Sequence, residues 1–205
     1  LHAPDMYMEK IAVGPTAKGA IDINASPTTN LQRVADAKKC YIEDLTVVVL
    51  DRPRHDKIVE EIRKAGARIH LIIDGDVAPA IAAAVEGSGV DMLLGIGGAP
   101  EGVLAAAALK CMGGDMQGRL VFMNDEERHR AMAMGIDDFE KVYQCEEMAN
   151  GDVVFAATGV TNGDLLRGIR YYSGGAETHS IVMRSRTRTI RFVETRHSFD
   201  FKPKY

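Results

Sequence analysis

The segment Thr-Val-Val-Val-Leu at residues 46–50 is an unbroken run of β-branched and apolar side chains. Such a run is typical of a strand that is buried on both faces. Residues 55–65 follow it, and there Ile58, Val59 and Ile62 recur at helical spacing until Gly66. A buried strand leading into an amphipathic helix predicts the first unit of an α/β fold.

The alternation of strand and helix continues toward the carboxyl terminus. Short apolar runs predict strands, and Ala-rich or amphipathic runs predict helices. The predicted strands are residues 68–73, 91–96 and 152–157, and the predicted helices are residues 77–85, 101–112, 125–134 and 164–169. This order favours a mostly parallel sheet built from βαβ units.

The two ends of the chain have a different character. Residues 6–23 are interrupted by Gly and Pro and indicate irregular strand and turn, whereas residues 26–38 predict a helix. Residues 178–183 and 189–195 alternate in polarity and predict an antiparallel hairpin that turns near residues 185–187. We therefore predict three parts: residues 1–44 as the remainder of a first domain, residues 45–177 as an α/β domain, and residues 178–205 as a terminal hairpin and tail.

Composition excludes several functional classes. The 205 residues carry 25 Lys plus Arg and 29 Asp plus Glu, a net charge of −4, which gives no global reason to bind nucleic acid or a membrane surface. No apolar run approaches the roughly 18 to 20 residues needed to span a bilayer. The three cysteines, Cys40, Cys111 and Cys145, have no zinc-site spacing, which favours a reducing, cytoplasmic location. Because the chain begins without Met, we expect a segment of a longer protein or a processed chain.

The loops after the predicted strands carry the candidate site, because ligands of open α/β sheets bind at the carboxyl ends of the strands. The first loop is Asp51-Arg52-Pro53-Arg54-His55. Its two guanidinium groups at a helix amino terminus suit phosphate oxygens. A solvated loop whose arginines pair with nearby acids is the alternative, and His55 accompanies the arginines or supports the loop.

The second loop is Asp74-Gly75-Asp76. Its two carboxylates could bind a hard cation or accept hydrogen bonds from sugar hydroxyls. The alternative is a turn in which Asp76 caps the next helix.

The third loop is the glycine-rich run Gly-Ile-Gly-Gly-Ala-Pro-Glu-Gly at residues 95–102. Its glycines allow close approach of the backbone to a ligand, and its spacing matches neither a Walker A loop nor a dinucleotide fingerprint. Pro100 suits a first helical turn, and Glu101 could hold a metal or interact with the helix dipole. The loop at residues 158–164 could line the same crevice or form a turn.

Together these loops indicate a site for an anionic, hydroxylated ligand beside a divalent metal. Hydrolytic phosphoryl chemistry fits this combination, because a metal lowers the pKa of a bound water and offsets charge on phosphate oxygens.

At the same residues the chain resembles the class II fructose-1,6-bisphosphatases. The matching stretches are residues 3–10, 52–56, 74–78, 95–102 and 155–161. The resemblance implies a layered αβαβα sugar-phosphatase fold, shared with inositol monophosphatases. It also implies hydrolysis of the 1-phosphate of fructose 1,6-bisphosphate to fructose 6-phosphate in gluconeogenesis, with Mn²⁺ or Mg²⁺.

The resemblance also implies roles for seven residues of this chain. Tyr7 would contact the substrate, Arg52 and Arg54 would bind the phosphate that is not cleaved, Asp74 and Asp76 would hold sugar hydroxyls, Gly98 would contact the substrate through its backbone, and Glu101 would be a metal ligand.

One departure from the family pattern limits this expectation. Family members carry an upstream Gly-Glu-Gly-Glu stretch and an Asp-Pro-Ile-Glu-Gly-Thr stretch, which supply most metal-binding carboxylates and a catalytic threonine. This chain has neither stretch, so the catalytic residues are expected upstream and the chain by itself is expected to be weakly active or inactive.

Two alternatives stay open from the sequence. The substrate could be sedoheptulose 1,7-bisphosphate, or the chain could be a non-catalytic sugar-phosphate-binding module. We also expect a homo-oligomer, because incomplete sheet edges favour association.

Overall fold

The computed structural model describes residue 1 and residues 5–201. Residues 3 and 4 of the first family-like stretch, and residues 202–205 of the predicted tail, lie outside the described part of the chain.

A six-stranded mixed sheet forms the centre of the fold. Its strands are β1 (Tyr7–Val13), β2 (Thr46–Leu50), β3 (Arg68–Ile72), β4 (Met92–Gly98), β5 (Asp115–Val121) and β6 (Val142–Gln144). They lie in the order β3-β2-β4-β1-β5-β6. Strand β2 runs parallel to β3 and β4, whereas β1 runs antiparallel to β4 and β5, and β6 runs antiparallel to β5.

The α/β class is therefore confirmed, but the prediction of a mostly parallel sheet holds only for β2, β3 and β4. Strand β1 enters between β4 and β5, and the sequence showed it only as irregular strand and turn. Both β1 and β5 contain polar residues, which interrupt the apolar pattern expected of a buried strand. Glu9 and Arg119 are register partners that form an ion pair at 2.7 Å, and Gln117 accepts a hydrogen bond from the Ile23 N–H at 2.8 Å.

Helices cover both faces of this sheet. They are α1 (Pro27–Lys38), α2 (Asp56–Ala65), α3 (Val77–Ala82), α4 (Ala99–Met112), α5 (Asp125–Ala133) and α6 (Cys145–Met148). Gly66 ends α2 as predicted, with a φ of 94°, and Ser26 caps α1 by accepting a hydrogen bond from the Thr29 N–H at 3.1 Å.

Side-chain alternation along the strands sends apolar groups to both faces. Ile11 and Val47 belong to the cluster under α1 and α2, whereas Met8, Ala12 and Val48 belong to the cluster under α3 and α4. This two-sided burial explains why residues 46–50 read as one continuous apolar run.

A second, antiparallel sheet packs against the outer side of α3 and α4. Its strands are β7 (Val154–Thr158), β8 (Arg170–Tyr172), β9 (Gly175–Arg184) and β10 (Thr189–Ser198). The order is β10-β9-β7, with β8 paired to β9. The long β9–β10 pair confirms the predicted hairpin.

Two sequence predictions in this region are wrong. Residues 152–157 were predicted as a further buried strand of the first sheet, but β7 pairs with β9 and leaves Val154 exposed. Residues 164–169 were predicted as a helix, but residues 164–166 form a bend and residues 167–169 are irregular. There the Gly163 N–H bonds the Leu166 carbonyl and the Ile169 N–H bonds the Val160 carbonyl, both at 3.1 Å.

Helix α4 is the shared layer between the two sheets. Leu109 packs in the cluster against the first sheet, and Ala108 and Cys111 pack in the cluster with Ile181 and Met183 of the second sheet. Small residues along α4 allow both sheets to approach. The described residues thus stack as helices, sheet, helices and sheet.

The division into three parts at residues 44 and 177 stays a prediction. Within the described ranges, no helix combines the length and apolar character needed to cross a membrane.

The two leucines of α4 provide a test of this layering. Leu109 is 0% exposed and Leu104 is 52% exposed. We expect Leu109→Ala to lower the free energy of unfolding by about 2–5 kcal/mol, because it leaves a cavity in the shared layer. Leu104→Ala, the matched control, should change it by less than about 1 kcal/mol. Chemical denaturation measures both values, and equal losses would contradict the layering.

Candidate active site

The predicted site residues meet at one edge of the first sheet. The parallel strands β2, β3 and β4 all end there, and the antiparallel β1 begins there, because Tyr7 is the register partner of Gly98. The glycine-rich run is not a loop: its residues 95–98 end β4, and its residues 99–102 begin α4.

Arg54 lies across the end of β4 and beside β1. Its Nε and Nη2 donate to the Ile96 carbonyl at 3.1 and 2.7 Å, and its guanidinium carbon lies 5.1 Å from the centre of the Tyr7 ring. These contacts hold the Arg54 guanidinium group in place and leave its other N–H donors available to an anion. Arg52 instead donates to the Asp51 carbonyl of its own loop at 2.8 Å.

His55 joins the ends of β2 and β4 from inside the protein. Its ring is fully buried. The Ile96 N–H donates to Nε2 at 2.8 Å, which assigns the ring proton to Nδ1, and Nδ1 donates to the Leu50 carbonyl at 2.7 Å. Burial lowers the pKa of His55, and the nearby charges of Arg54 and Arg52 act in the same direction. His55 is therefore a neutral support of the arginine loop, one of the two roles suggested by the sequence.

Asp76 forms a buried ion pair with Lys10. Its Oδ2 contacts the Lys10 ammonium, which also donates to the Gly98 carbonyl at 2.9 Å. Asp76 occupies the position before α3, but its side chain makes no capping hydrogen bond, so the capping alternative is wrong. A Cβ on Gly97 would overlap Asp76 Oδ2 and lie 3.0 Å from Lys10 Nζ, so this pairing requires glycine there.

Glu101 lies in the first turn of α4, next to the end of β4. Burial raises the pKa of its carboxyl group, and the nearby charges of Asp76 and Asp74 raise it further. The Lys10 ammonium and the Gly98 N–H act in the opposite direction. Glu101 is therefore a carboxylate whose charge is incompletely compensated by the described residues. Asp74 is exposed, and its Oδ1 accepts the Gly75 N–H at 3.0 Å.

These carboxylates do not complete a metal site. No group of three His, Cys, Asp or Glu side chains able to hold a metal exists among residues 1 and 5–201. Asp76 is compensated by Lys10, which leaves Glu101 as the carboxylate with the clearest capacity to bind a cation. The set described therefore supplies at most part of a coordination shell, because protein sites for hard divalent cations combine several oxygen ligands.

The loop at residues 158–164 behaves as a turn. Asn162 Oδ1 accepts the Gly168 N–H at 2.9 Å, and Asp164 Oδ2 lies 3.7 Å from His70 Nδ1.

Sequence reasoning missed Lys10 as a member of the site. A signal was present, because Met8, Lys10 and Ala12 alternate along β1 and therefore share one face of the strand. A lone lysine between two apolar residues on a covered face predicts a buried charge with a specific partner.

This protein has a mixed sheet covered by helices, and its basic, acidic and glycine-rich segments meet where the parallel strands end. That arrangement is typical of α/β proteins that bind ligands at this edge of the sheet. Comparison with known proteins makes this class specific. A model of the family described as bacterial fructose-1,6-bisphosphatase, glpX-encoded, matches residues 1–197. The chain belongs to this family.

Similar proteins carry a matching name. A protein of Synechococcus sp. (strain JA-3-3Ab), 47% identical over 98% of the chain, and one of Microcystis aeruginosa (strain NIES-843 / IAM M-2473), 49% identical over 99% of it, are both called D-fructose 1,6-bisphosphatase class 2/sedoheptulose 1,7-bisphosphatase. The matches cover 61% and 62% of those proteins, so the chain spans about three-fifths of the length of these relatives.

The buried His55 generates a prediction about pH. Because burial lowers its pKa below the ordinary value of 6.5, its contribution to stability is fully present above pH 6.5 and is lost progressively as the pH falls below that value. We expect His55→Gln to cost roughly 1–3 kcal/mol at neutral pH and to reduce the loss of melting temperature between about pH 7.5 and about pH 5. Thermal unfolding across this range measures both effects.

His129→Gln is the matched control, since His129 is exposed on α5. This variant should follow the unsubstituted chain at every pH. A His55→Gln variant that loses as much melting temperature on acidification as the unsubstituted chain would contradict the assigned role.

Proposed function

We propose that this chain forms the sugar-phosphate-binding part of an enzyme that hydrolyses the 1-phosphate of fructose 1,6-bisphosphate to fructose 6-phosphate, a step of gluconeogenesis and carbohydrate metabolism. The observation that carries the proposal is the convergence of Arg54, Tyr7, Asp76, Gly98 and Glu101 at one sheet edge in a member of this family.

The chemistry of each group supports this substrate class. The guanidinium group of Arg54 is fixed by its contacts and can donate N–H groups to the phosphate that is not cleaved. Arg52, in the same loop, would contribute to this phosphate site. Asp74 and Asp76 are hydrogen-bond acceptors for sugar hydroxyls, and Tyr7 and the Gly98 backbone complete the contacts. The catalytic residues are proposed to lie upstream, outside the residues that meet at this sheet edge.

We include a divalent cation, Mn²⁺ or Mg²⁺, in the proposal, with Glu101 as one ligand. The raised pKa of Glu101 supports this role, because burial and then the charges of Asp76 and Asp74 disfavour its ionised form, and a bound cation would offset both effects. The remaining ligands would come from the upstream acidic stretches characteristic of the family.

Two further functions each have an observation in their favour. The names of the two relatives favour sedoheptulose 1,7-bisphosphate as a second substrate. The lack of a three-ligand metal cluster in the described residues favours a non-catalytic sugar-phosphate-binding module.

The remaining features of the proposal concern the whole protein. A cytoplasmic location is supported by the three unpaired cysteines, all of which lie in the described residues. A homo-oligomer is supported by the edge strand β10, where Ile190 and Phe192 are exposed. The fifth, helical layer of an αβαβα fold is likewise proposed from the family.

Phosphate release tests the proposed reaction. We expect Mn²⁺-dependent release of phosphate from fructose 1,6-bisphosphate by an extended chain, defined as this chain preceded by the two upstream family stretches in their domain, and little release by the chain alone. Chelation should abolish the activity. Robust release by the chain alone would show that the upstream carboxylates are dispensable. Binding of fructose 1,6-bisphosphate without release by the extended chain would favour the non-catalytic module.

Arg54→Lys tests the phosphate contact. This variant keeps the charge but loses the planar fork, so KM for fructose 1,6-bisphosphate should rise by roughly tenfold in the extended chain, with a smaller change in kcat. Arg63→Lys, on the exposed part of α2, is the matched control and should leave both constants unchanged. An unchanged KM in Arg54→Lys would remove Arg54 from the site.

A further inference from the structure

Lys10 is a charged residue buried in an apolar face. Its side chain is 1% exposed, and its neighbours on the same face of β1, Met8 and Ala12, are fully buried. Removing an ammonium group from water is costly unless the group is paired and hydrogen-bonded. A methionine of similar length would fill the same space without that cost, so the charge calls for an explanation other than packing.

The contacts of Lys10 supply that explanation. Its ammonium reaches two separate segments, the Asp76 carboxylate before α3 and the Gly98 carbonyl before α4. A Cβ on Gly102 would lie 3.2 Å from Lys10 Cδ, so the stem of the side chain is also closely surrounded. The Lys10 ammonium therefore fixes the distance between two parts of the proposed site. One is the segment with Asp76, a proposed hydrogen-bond acceptor, and the other is the segment with Gly98, a proposed backbone contact.

Asp76 has a second feature that points to a ligand. Its Oδ2 is held by Lys10, but its Oδ1 is buried and accepts no hydrogen bond from any residue that the structure describes. Buried carboxylate oxygens are rarely left in this condition, because a missing donor costs free energy. A sugar hydroxyl is a donor of the kind that this oxygen lacks.

We infer that Lys10 is a positioning residue, whose ammonium holds the Asp76 carboxylate and the Gly98 carbonyl in the arrangement that receives the sugar hydroxyls of the substrate. The inference rests on the proposed function, and it assigns Lys10 an action through Asp76 and Gly98 rather than a contact with the reacting phosphate. Loss of the ammonium leaves Asp76 free to rotate and separates the two segments.

Lys10→Met in the extended chain tests this role, with Lys110→Met as a matched control. Lys110 resembles Lys10, since its ammonium also bonds one carbonyl, that of Ala149 at 2.9 Å, and one carboxylate, that of Glu146 at 2.6 Å. It lies in the last turn of α4, whereas Glu101 lies in the first turn.

We expect Lys10→Met to raise KM for fructose 1,6-bisphosphate and Kd for fructose 6-phosphate by roughly 10- to 100-fold, with a change in kcat below about threefold. Lys110→Met should leave all three constants unchanged. Steady-state kinetics with Mn²⁺ gives KM and kcat, and titration calorimetry with fructose 6-phosphate gives Kd without turnover.

A second variant keeps the test valid if Lys10→Met does not fold. Lys10→Met with Asp76→Asn removes the uncompensated buried charge, so it should fold. Because Asp76 is itself a proposed acceptor, this variant is compared with Asp76→Asn alone, and it should bind fructose 6-phosphate more weakly than Asp76→Asn because the Gly98 carbonyl also loses its donor. Unchanged KM and Kd in whichever variant is folded would overturn the positioning role. If the unsubstituted extended chain neither binds fructose 6-phosphate nor hydrolyses fructose 1,6-bisphosphate, the proposed function fails instead.

Discussion

The end of strand β4 is the constraint on which the candidate site depends. Three side chains bond the peptide groups of Ile96 and Gly98: His55 accepts the Ile96 N–H, Arg54 donates to the Ile96 carbonyl, and Lys10 donates to the Gly98 carbonyl. Because one strand end receives all three side chains, any shift of β4 moves the basic and the acidic parts of the site together. This coupling places functional groups on a rigid element, which is the arrangement that precise binding requires.

Glycine at two positions of β4 makes this arrangement possible. At Gly95 the φ is 144°, and a Cβ would lie 3.1 Å from His55 Nε2. At Gly97 a Cβ would overlap the Asp76 carboxylate. The glycines therefore give two buried side chains, His55 and Asp76, room against the strand, rather than forming a flexible loop. In glycine-rich loops, the missing Cβ lets a ligand approach the backbone closely. In β4 the missing Cβ lets protein side chains do the same.

Local patterns predicted the elements around the site better than the site itself. The buried strand at residues 46–50 and the helices that follow each parallel strand were evident, because their apolar spacing is set by neighbours in sequence. Strand β1 was not evident as such, since Glu9 and Lys10 find their partners far along the chain. The loops were correctly placed at one edge by the strand-end rule, but the choice between capping and ion pairing for Asp76 depended on Lys10, which no local pattern connects to it.

The position of α4 between two sheets has a consequence for hydrogen exchange. Its buried residues face the first sheet on one side and the second sheet on the other, so its amides open only when both layers separate. The slowest-exchanging amides of the helix therefore report the opening of the whole stack, whereas those of the edge strand β10 report local fraying. Exchange rates in the helix that carries Glu101 therefore measure how often the two sheets separate.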